Sequence, residues 1–295
     1  MHIGIIGLGK MGASMRTRIR AAGIEVTGYD RNQELTDVAS TIDLIAALPS
    51  PRLIWVMVPS GSITDAVIQE LSEHLSAGDL VVDGGNTRFT DDFRHAALLA
   101  SAGVHFIDAG VSGGVWGLKN GYGLMVGGKK DQVARAMPVF DALRPEGPKE
   151  EGFVHAGEIG AGHYAKMVHN GIEYALMQAY AEGYELLEKR DDLIKDVPDI
   201  FKAWQRGTVV RSWILELLVR ALEEDPDLGE IEGFVDDSGE GRWTIEEALA
   251  NAVPVPTISA SIFARFVSRQ EDSPAMKAVA ALRNQFGGHA VVKAD

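Results

Sequence analysis

The chain has 295 residues, 46% apolar and 24% charged, the proportions of an ordinary globular protein with room for two domains. A formal net charge of −14, with no Lys/Arg cluster to offset it, argues against nucleic acid as a partner. There is no cysteine, which excludes disulfides and thiolate metal sites, and no apolar run reaches the roughly 18 residues of a membrane span.

The chain opens on Met1-His-Ile-Gly without a charged or long apolar leader, so no secretory signal is expected and a cytoplasmic location is. Residues 3–6 read as a buried strand, 11–22 as a helix and 25–29 as a second strand. Residues 52–58, 80–82 and 105–107 repeat the strand pattern, with helical stretches between. Apolar, β-branched runs separated by helices predict a doubly wound, mostly parallel α/β sheet of the Rossmann type over residues 1–158. Past the glycine-rich stretch 157–162 the strand signals fade. An all-helical second domain is expected over 159–295, ending in a C-terminal tail. Residues 223–243, rich in Asp, Glu and Gly, read as an irregular solvated connection.

Gly7-Leu8-Gly9-Lys10-Met11-Gly12 is a G-x-G-x-x-G loop between the first strand and the first helix. Glycines there allow a tight turn and the approach of a pyrophosphate to a helix N-terminus. Asp30 ends the second strand, 30 − 12 = 18 residues after the last glycine. Its carboxylate suits the ribose hydroxyls of NAD and repels a 2′-phosphate. Arg31 keeps NADP open, since a guanidinium pairs with that phosphate or stacks on adenine. Val58-Pro59, Asn86 and Ser112-Gly113-Gly114 follow later strands, at the sheet end where ligands bind. Asn86 can bond a nicotinamide amide and a substrate hydroxyl, and the Ser112 loop offers a carboxylate nest.

Lys166, His169, Asn170, Glu173 and Tyr174 share about 140° of a helix surface, with Tyr164, Val168, Ile172, Ala175 and Ala179 opposite. A solvated face has the same periodicity. The composition favours a site: a base, an acid and three hydrogen-bonding groups, rather than interchangeable Glu and Lys.

These motifs, with Phe263-Ala-Arg265 and Arg283-Asn-Gln-Phe-Gly-Gly-His289, resemble 6-phosphogluconate dehydrogenase over essentially the whole chain. The length resembles the short form of that family. The Lys-x-x-His-Asn-x-x-Glu-Tyr string carries most of the likeness; the glycine loop is shared with the wider β-hydroxyacid dehydrogenases. The resemblance implies oxidative decarboxylation of 6-phosphogluconate to ribulose 5-phosphate and CO2, with reduction of NAD or NADP. It makes Lys166 the base at the C3 hydroxyl and Glu173 the acid that protonates C1. It gives Ser112, Gly113, Gly114, His169 and Asn170 the carboxylate end and hydroxyls, and Tyr174 and Arg265 the phosphate. Arg283 and His289 match tail residues that reach a neighbouring subunit, so a homo-oligomer, dimer or tetramer, is expected. No metal is expected, because the intermediate's β-carbonyl accepts the electrons and the sequence shows no metal-ligand cluster.

The chain departs from the long forms in two places. Ser238 takes the place of a phosphate-binding lysine, with Arg242 or Arg269 as substitutes, and Val115-Trp116 replaces an acidic pair. Two other readings stand beside the main one. A β-hydroxyacid dehydrogenase acting on a 3-hydroxyisobutyrate-like substrate without decarboxylation has no use for Arg265, Arg283 and His289. A nucleotide-sensing binding protein has no use for Lys166 and Glu173.

Overall fold

The computed structural model describes residues 1–292. The chain divides into two compact units, residues 1–170 and the remainder from Gly171. In the first unit the elements run β1 (His2–Ile6), α1 (Lys10–Ala21), β2 (Glu25–Tyr29), α2 (Thr41–Ala47), β3 (Leu53–Val56), α3 (Ser62–His74), β4 (Leu80–Asp83), α4 (Phe89–Ser101), β5 (His105–Ser112), α5 (Gly117–Asn120), β6 (Gly123–Gly127), α6 (Lys130–Leu143) and β7 (Phe153–Gly157). The seven strands form one sheet in the order β2-β1-β3-β4-β5-β6-β7.

The first five strands are parallel, as their uninterrupted apolar runs predict; β6 turns back antiparallel to β5, and β7 runs parallel to β6. Alternating side chains fill two cores, one on each face. Leu53 and Trp55 enter one, Ile54 and Val56 the other. Strand order reverses between β1 and β3, so their carboxyl ends open a crevice at a topological switch point. β5 is longer than the predicted 105–107, and its extension carries the chain to Ser112.

α7 (Ala161–Glu188) has 28 residues, about 42 Å of helix, and begins in the first unit. The second unit adds α8 (Val197–Trp204), α9 (Trp213–Glu224), α10 (Glu240–Ala250), α11 (Pro256–Val267) and α12 (Pro274–Gly287). Its core gathers Val197, Phe201, Leu215, Val219 and Leu222, with Tyr180, Tyr184 and Leu187 of α7 against them. The segment 223–243, expected to be irregular throughout, is helical at both ends, in the last residues of α9 and from Glu240. Gly239 adopts φ +92°, a left-handed turn that lets the chain enter α10, and its carbonyl accepts the first intrahelical bond, from Trp243. Among the described residues no helix is long and apolar enough to cross a membrane.

Candidate active site

The glycine loop closes as its spacing requires. Gly7 has φ +93°, and a Cβ on Gly12 would lie 1.9 Å from the Gly7 carbonyl oxygen, so only glycine lets α1 start this close to β1. Asp30 ties the end of β2 to this loop. One carboxylate oxygen accepts the Leu8 N–H at 2.6 Å and the other accepts the Asn32 N–H at 2.8 Å. A cavity of about 250 Å3 opens here, lined by Gly7, Gly9, Asp30, Arg31, Val58 and Pro59 together with Tyr29, Met57, Ile63 and Val67. Of the expected cofactor-binding residues, six line this cavity. Leu8 turns its side chain into the core, Lys10 is exposed, Met11 and Asn86 are half-buried, and Gly12 serves packing. The apolar walls, Tyr29 and Met57 at strand ends and Ile63 and Val67 on α3, escaped the sequence reading, because an apolar residue at either place has the same pattern as core.

The polar face of α7 is the buried one. Lys166 is 7% and Asn170 8% exposed, whereas Ile172 on the opposite face is 51% exposed. This inverts the usual amphipathic arrangement and excludes the solvated-face reading for Lys166 and Asn170. Within the first unit these residues form a hydrogen-bonded row. The Lys166 ammonium donates to Asn170 Oδ1, His169 Nδ1 lies 2.9 Å from the same oxygen, and His169 Nε2 lies 3.3 Å from the Ser112 hydroxyl. Each link fixes the next. A lysine only donates, so the amide oxygen faces it; that oxygen only accepts, so His169 carries its proton on Nδ1. When the ring is neutral, Nε2 accepts from Ser112. Gly113 and Gly114 follow at φ +136° and +52°, values open to glycine, and shape the turn after Ser112.

The second unit holds the other expected residues. The buried Tyr174 hydroxyl lies 3.0 Å from the Ser238 hydroxyl and accepts the Ser238 N–H at 3.1 Å. The Arg265 guanidinium sits 3.6 Å over the Tyr174 ring and donates to the Asp236 carbonyl. Ser238 in turn donates to the buried Glu240 carboxylate at 3.3 Å. The two arginines considered as substitutes for a lysine at Ser238, Arg242 and Arg269, each pair with Asp237 at 2.9 Å. Burial disfavours charge on Asp237, but those guanidiniums and the Gly239 N–H hold it below the ordinary carboxylate range. Glu173 is half-buried on α7; Arg283 and His289 are exposed, on and just beyond α12; Val115 is exposed and Trp116 is 37% exposed in a short turn of helix after Gly113.

The sequence shows no metal-ligand cluster, yet among the described residues the fold makes two groups of that kind, Asp83–Asp92–His95 and Asp92–Asp108–His163, all buried. Their carboxylates are occupied by protein donors. Asp83 accepts from the Gly85 N–H and the Thr87 hydroxyl, and Asp108 accepts from the N–H groups of Gly160 and His163. Asp92 faces His163 Nδ1 with both oxygens at 2.9 Å. Burial pushes Asp92 up to about 7, against the pull of His163. Burial drives His163 down, but the Asp92 charge beside it, with Asp83 and Asp108 behind, outweighs this and raises it to about 10. Between those two values the pair is an imidazolium on a carboxylate.

A glycine turn at the head of α1, an acid at the end of β2 and a crevice at the switch point define a dinucleotide-binding dehydrogenase. Comparison with known proteins narrows the class. The NAD binding domain of 6-phosphogluconate dehydrogenase matches residues 2–145, and the C-terminal domain of the same enzyme matches residues 162–293. The chain belongs to the 6-phosphogluconate dehydrogenase family. It is 44% identical over 306 residues to the NAD(+)-dependent, decarboxylating 6-phosphogluconate dehydrogenase of Haloferax volcanii, with 100% of both chains covered. It spans 62% of the length of the decarboxylating enzyme of Lactococcus lactis, at 36% identity over 92% of this chain. Among solved structures, Plasmodium falciparum 6-phosphogluconate dehydrogenase superposes with TM-score 0.82 at 26% identity, covering 100% of this chain and 66% of that one. Mycobacterium tuberculosis 3-hydroxyisobutyrate dehydrogenase shares the fold, with TM-score 0.72 at 24% identity over 96% of this chain and 99% of that one.

The His163–Asp92 pair has a pH signature. A histidine raised from 6.5 to about 10 contributes stability that is complete below its ordinary value and is lost as pH climbs to the folded one. The difference in melting temperature between the parent and His163→Gln is therefore expected to shrink steadily from pH 6.5 to 10, as followed by circular dichroism. A difference that holds level or grows over that range would mean that the ring is neutral in the fold.

Proposed function

We propose that the chain catalyses the oxidative decarboxylation of 6-phosphogluconate to ribulose 5-phosphate and CO2, with reduction of NAD in preference to NADP. The observation that carries this is the hydrogen-bonded row Lys166–Asn170–His169–Ser112, with Lys166 and Asn170 buried on a helix whose next turn bears Glu173 and Tyr174. When bound, the nicotinamide ring supplies the acceptor for the hydride leaving C3. Gly7, Gly9, Asp30, Arg31, Val58 and Pro59 are the residues to hold the dinucleotide, with Asn86 at its nicotinamide end.

Lys166 takes the C3 hydroxyl proton. Burial favours the neutral amine it needs, since desolvation disfavours an ammonium. The product is a 3-keto acid. Its carbonyl receives the electron pair as the C1–C2 bond breaks and CO2 leaves, and Glu173 returns a proton to the carbon left behind. Ser112, with the Gly113 and Gly114 turn, His169 and Asn170, binds the carboxylate and hydroxyls. Tyr174, Ser238 and Arg265 form the phosphate end. The long forms' lysine is absent there, and the Arg265 guanidinium lies over the tyrosine ring, which supports it as the principal phosphate ligand. With no cysteine to protect, a reducing cytoplasm suits the chain.

Self-association accompanies this reading. On α12, Met276, Val279 and Leu282 are exposed at a spacing of three, one apolar stripe beside Arg283. Such a stripe suits a second copy of the chain, whose site Arg283 and His289 would complete.

With 6-phosphogluconate, NAD reduction should accompany CO2 release; reduction with 3-hydroxyisobutyrate alone would move the assignment to the non-decarboxylating enzymes. Lys166→Met should lose at least about 1,000-fold in kcat while its NAD Kd, read by fluorescence titration, stays within about threefold of the parent. A near-parental rate would remove the lysine from the mechanism. Asp30→Ala should weaken NAD about tenfold and NADP less; equal losses would show that Asp30 does not select the coenzyme. Finally, Lys166→Met and Arg283→Ala chains expressed together should regain about a quarter of parental activity if the tail serves the neighbouring subunit, and none if it serves its own.

A further inference from the structure

We infer that Gly110 is a positioning residue: its missing side chain is the slot that sets where Lys166 stands, a reading that rests on Lys166 being the base. The argument begins with strand geometry. Side chains 108, 110 and 112 project from one face of β5, and that face meets the head of α7 in three successive rungs. At the first rung, Asp108 accepts the N–H groups of Gly160 at 2.7 Å and His163 at 2.9 Å. At the third, the Ser112 hydroxyl lies 3.3 Å from His169 Nε2. Gly110 is the middle rung, opposite Lys166.

A Cβ on Gly110 would lie 2.4 Å from Lys166 Cβ, 2.7 Å from the Gly162 carbonyl oxygen and 3.2 Å from Lys166 Cγ. None of these is the free end of a flexible side chain, so a methyl group is accommodated only by moving helix backbone. Nor does the backbone at this position call for glycine: Gly110 is not among the glycines with positive φ. Space alone accounts for it.

The helix has no easy retreat. Asp108 pins its first turn from below, and His163, one turn before Lys166, is held by Asp92 of α4. Gly162 and Gly127 close the same seat. A Cβ on Gly162 would meet the Met125 carbonyl oxygen at 2.4 Å, and one on Gly127 would meet the Ala161 nitrogen at 2.8 Å. With the head of α7 fixed at several points, a methyl group at Gly110 displaces the segment that carries Lys166. A displacement of about 1 Å at a reacting group costs on the order of 100-fold in rate.

The test is Gly110→Ala in the full-length protein. The expected result is a kcat lower by about 100-fold, with the NAD Kd and the KM for 6-phosphogluconate within about threefold. The deuterium isotope effect on kcat with C3-deuterated substrate should also rise, because a misplaced base makes the chemical step limiting. Partial unfolding lowers kcat without changing that isotope effect. A kcat within twofold of the parent, or a loss with an unchanged isotope effect, overturns the inference. If Gly110→Ala does not accumulate as folded protein, Asp108→Asn probes the same seat. Its amide cannot accept both N–H groups, and the same signature is expected; a parental kcat and isotope effect overturn the inference. Lys166→Met measured alongside separates the two readings. If that variant is active, the lysine is not the base and both fall. If it is inactive while Gly110→Ala is parental, only the positioning role falls.

Discussion

One carboxylate decides how the helix that carries Lys166 is held. Asp108, wholly buried on β5, accepts two backbone N–H groups at the head of α7, groups that a helix leaves without intrahelical partners. An anion at a helix N-terminus is favourable and directional, so this contact fixes both the height and the rotation of the helix against the sheet. The burial of Lys166 and Asn170 depends on that rotation. Turned by half a revolution, the same helix would bury Ile172 and Leu176, as an ordinary amphipathic helix does, and would offer its lysine to water.

Charge is managed locally around this anchor. Three aspartates, Asp83, Asp92 and Asp108, are buried close together in a protein that already carries −14 overall. Unpaired, such charges are costly. Here each has protein donors, and Asp92 is matched with a positive charge, that of His163. The result is a rigid polar support beneath the helix, at the point where the sheet ends and the helical part of the chain begins.

The sequence carried the parts of this design that are local along the chain. The G-x-G-x-x-G turn and Asp30 are legible because their contacts lie within about one βαβ unit, and the fold returns them as neighbours. The five parallel strands were visible as apolar runs for the same reason. What could not be read depends on distant partners. Asp108, Gly110 and Ser112 look like any strand of small and polar residues until α7, more than 50 residues later, is laid across them. Asp92 and His163 are 71 residues apart. The antiparallel β6 and the short β7 are rich in glycine and give weak strand signals. On α7 the periodicity was clear, but periodicity does not say which face turns inward. His163 was within reach all the same: it stands three residues before Lys166 and continues the same stripe.

Asn170 has a further consequence, which concerns its neutrality. Its amide oxygen orients the Lys166 nitrogen as well as a carboxylate would, yet it adds no anion beside it. A carboxylate at this position would form an ion pair that stabilises the ammonium, leaving less of the neutral amine that the proposed role of Lys166 requires. An amide adds no countercharge: a neutral amine can still give one N–H to the oxygen and aim its lone pair elsewhere. The chain thus separates steering a nitrogen from charging it, and the difference rests on a single atom at the end of one side chain.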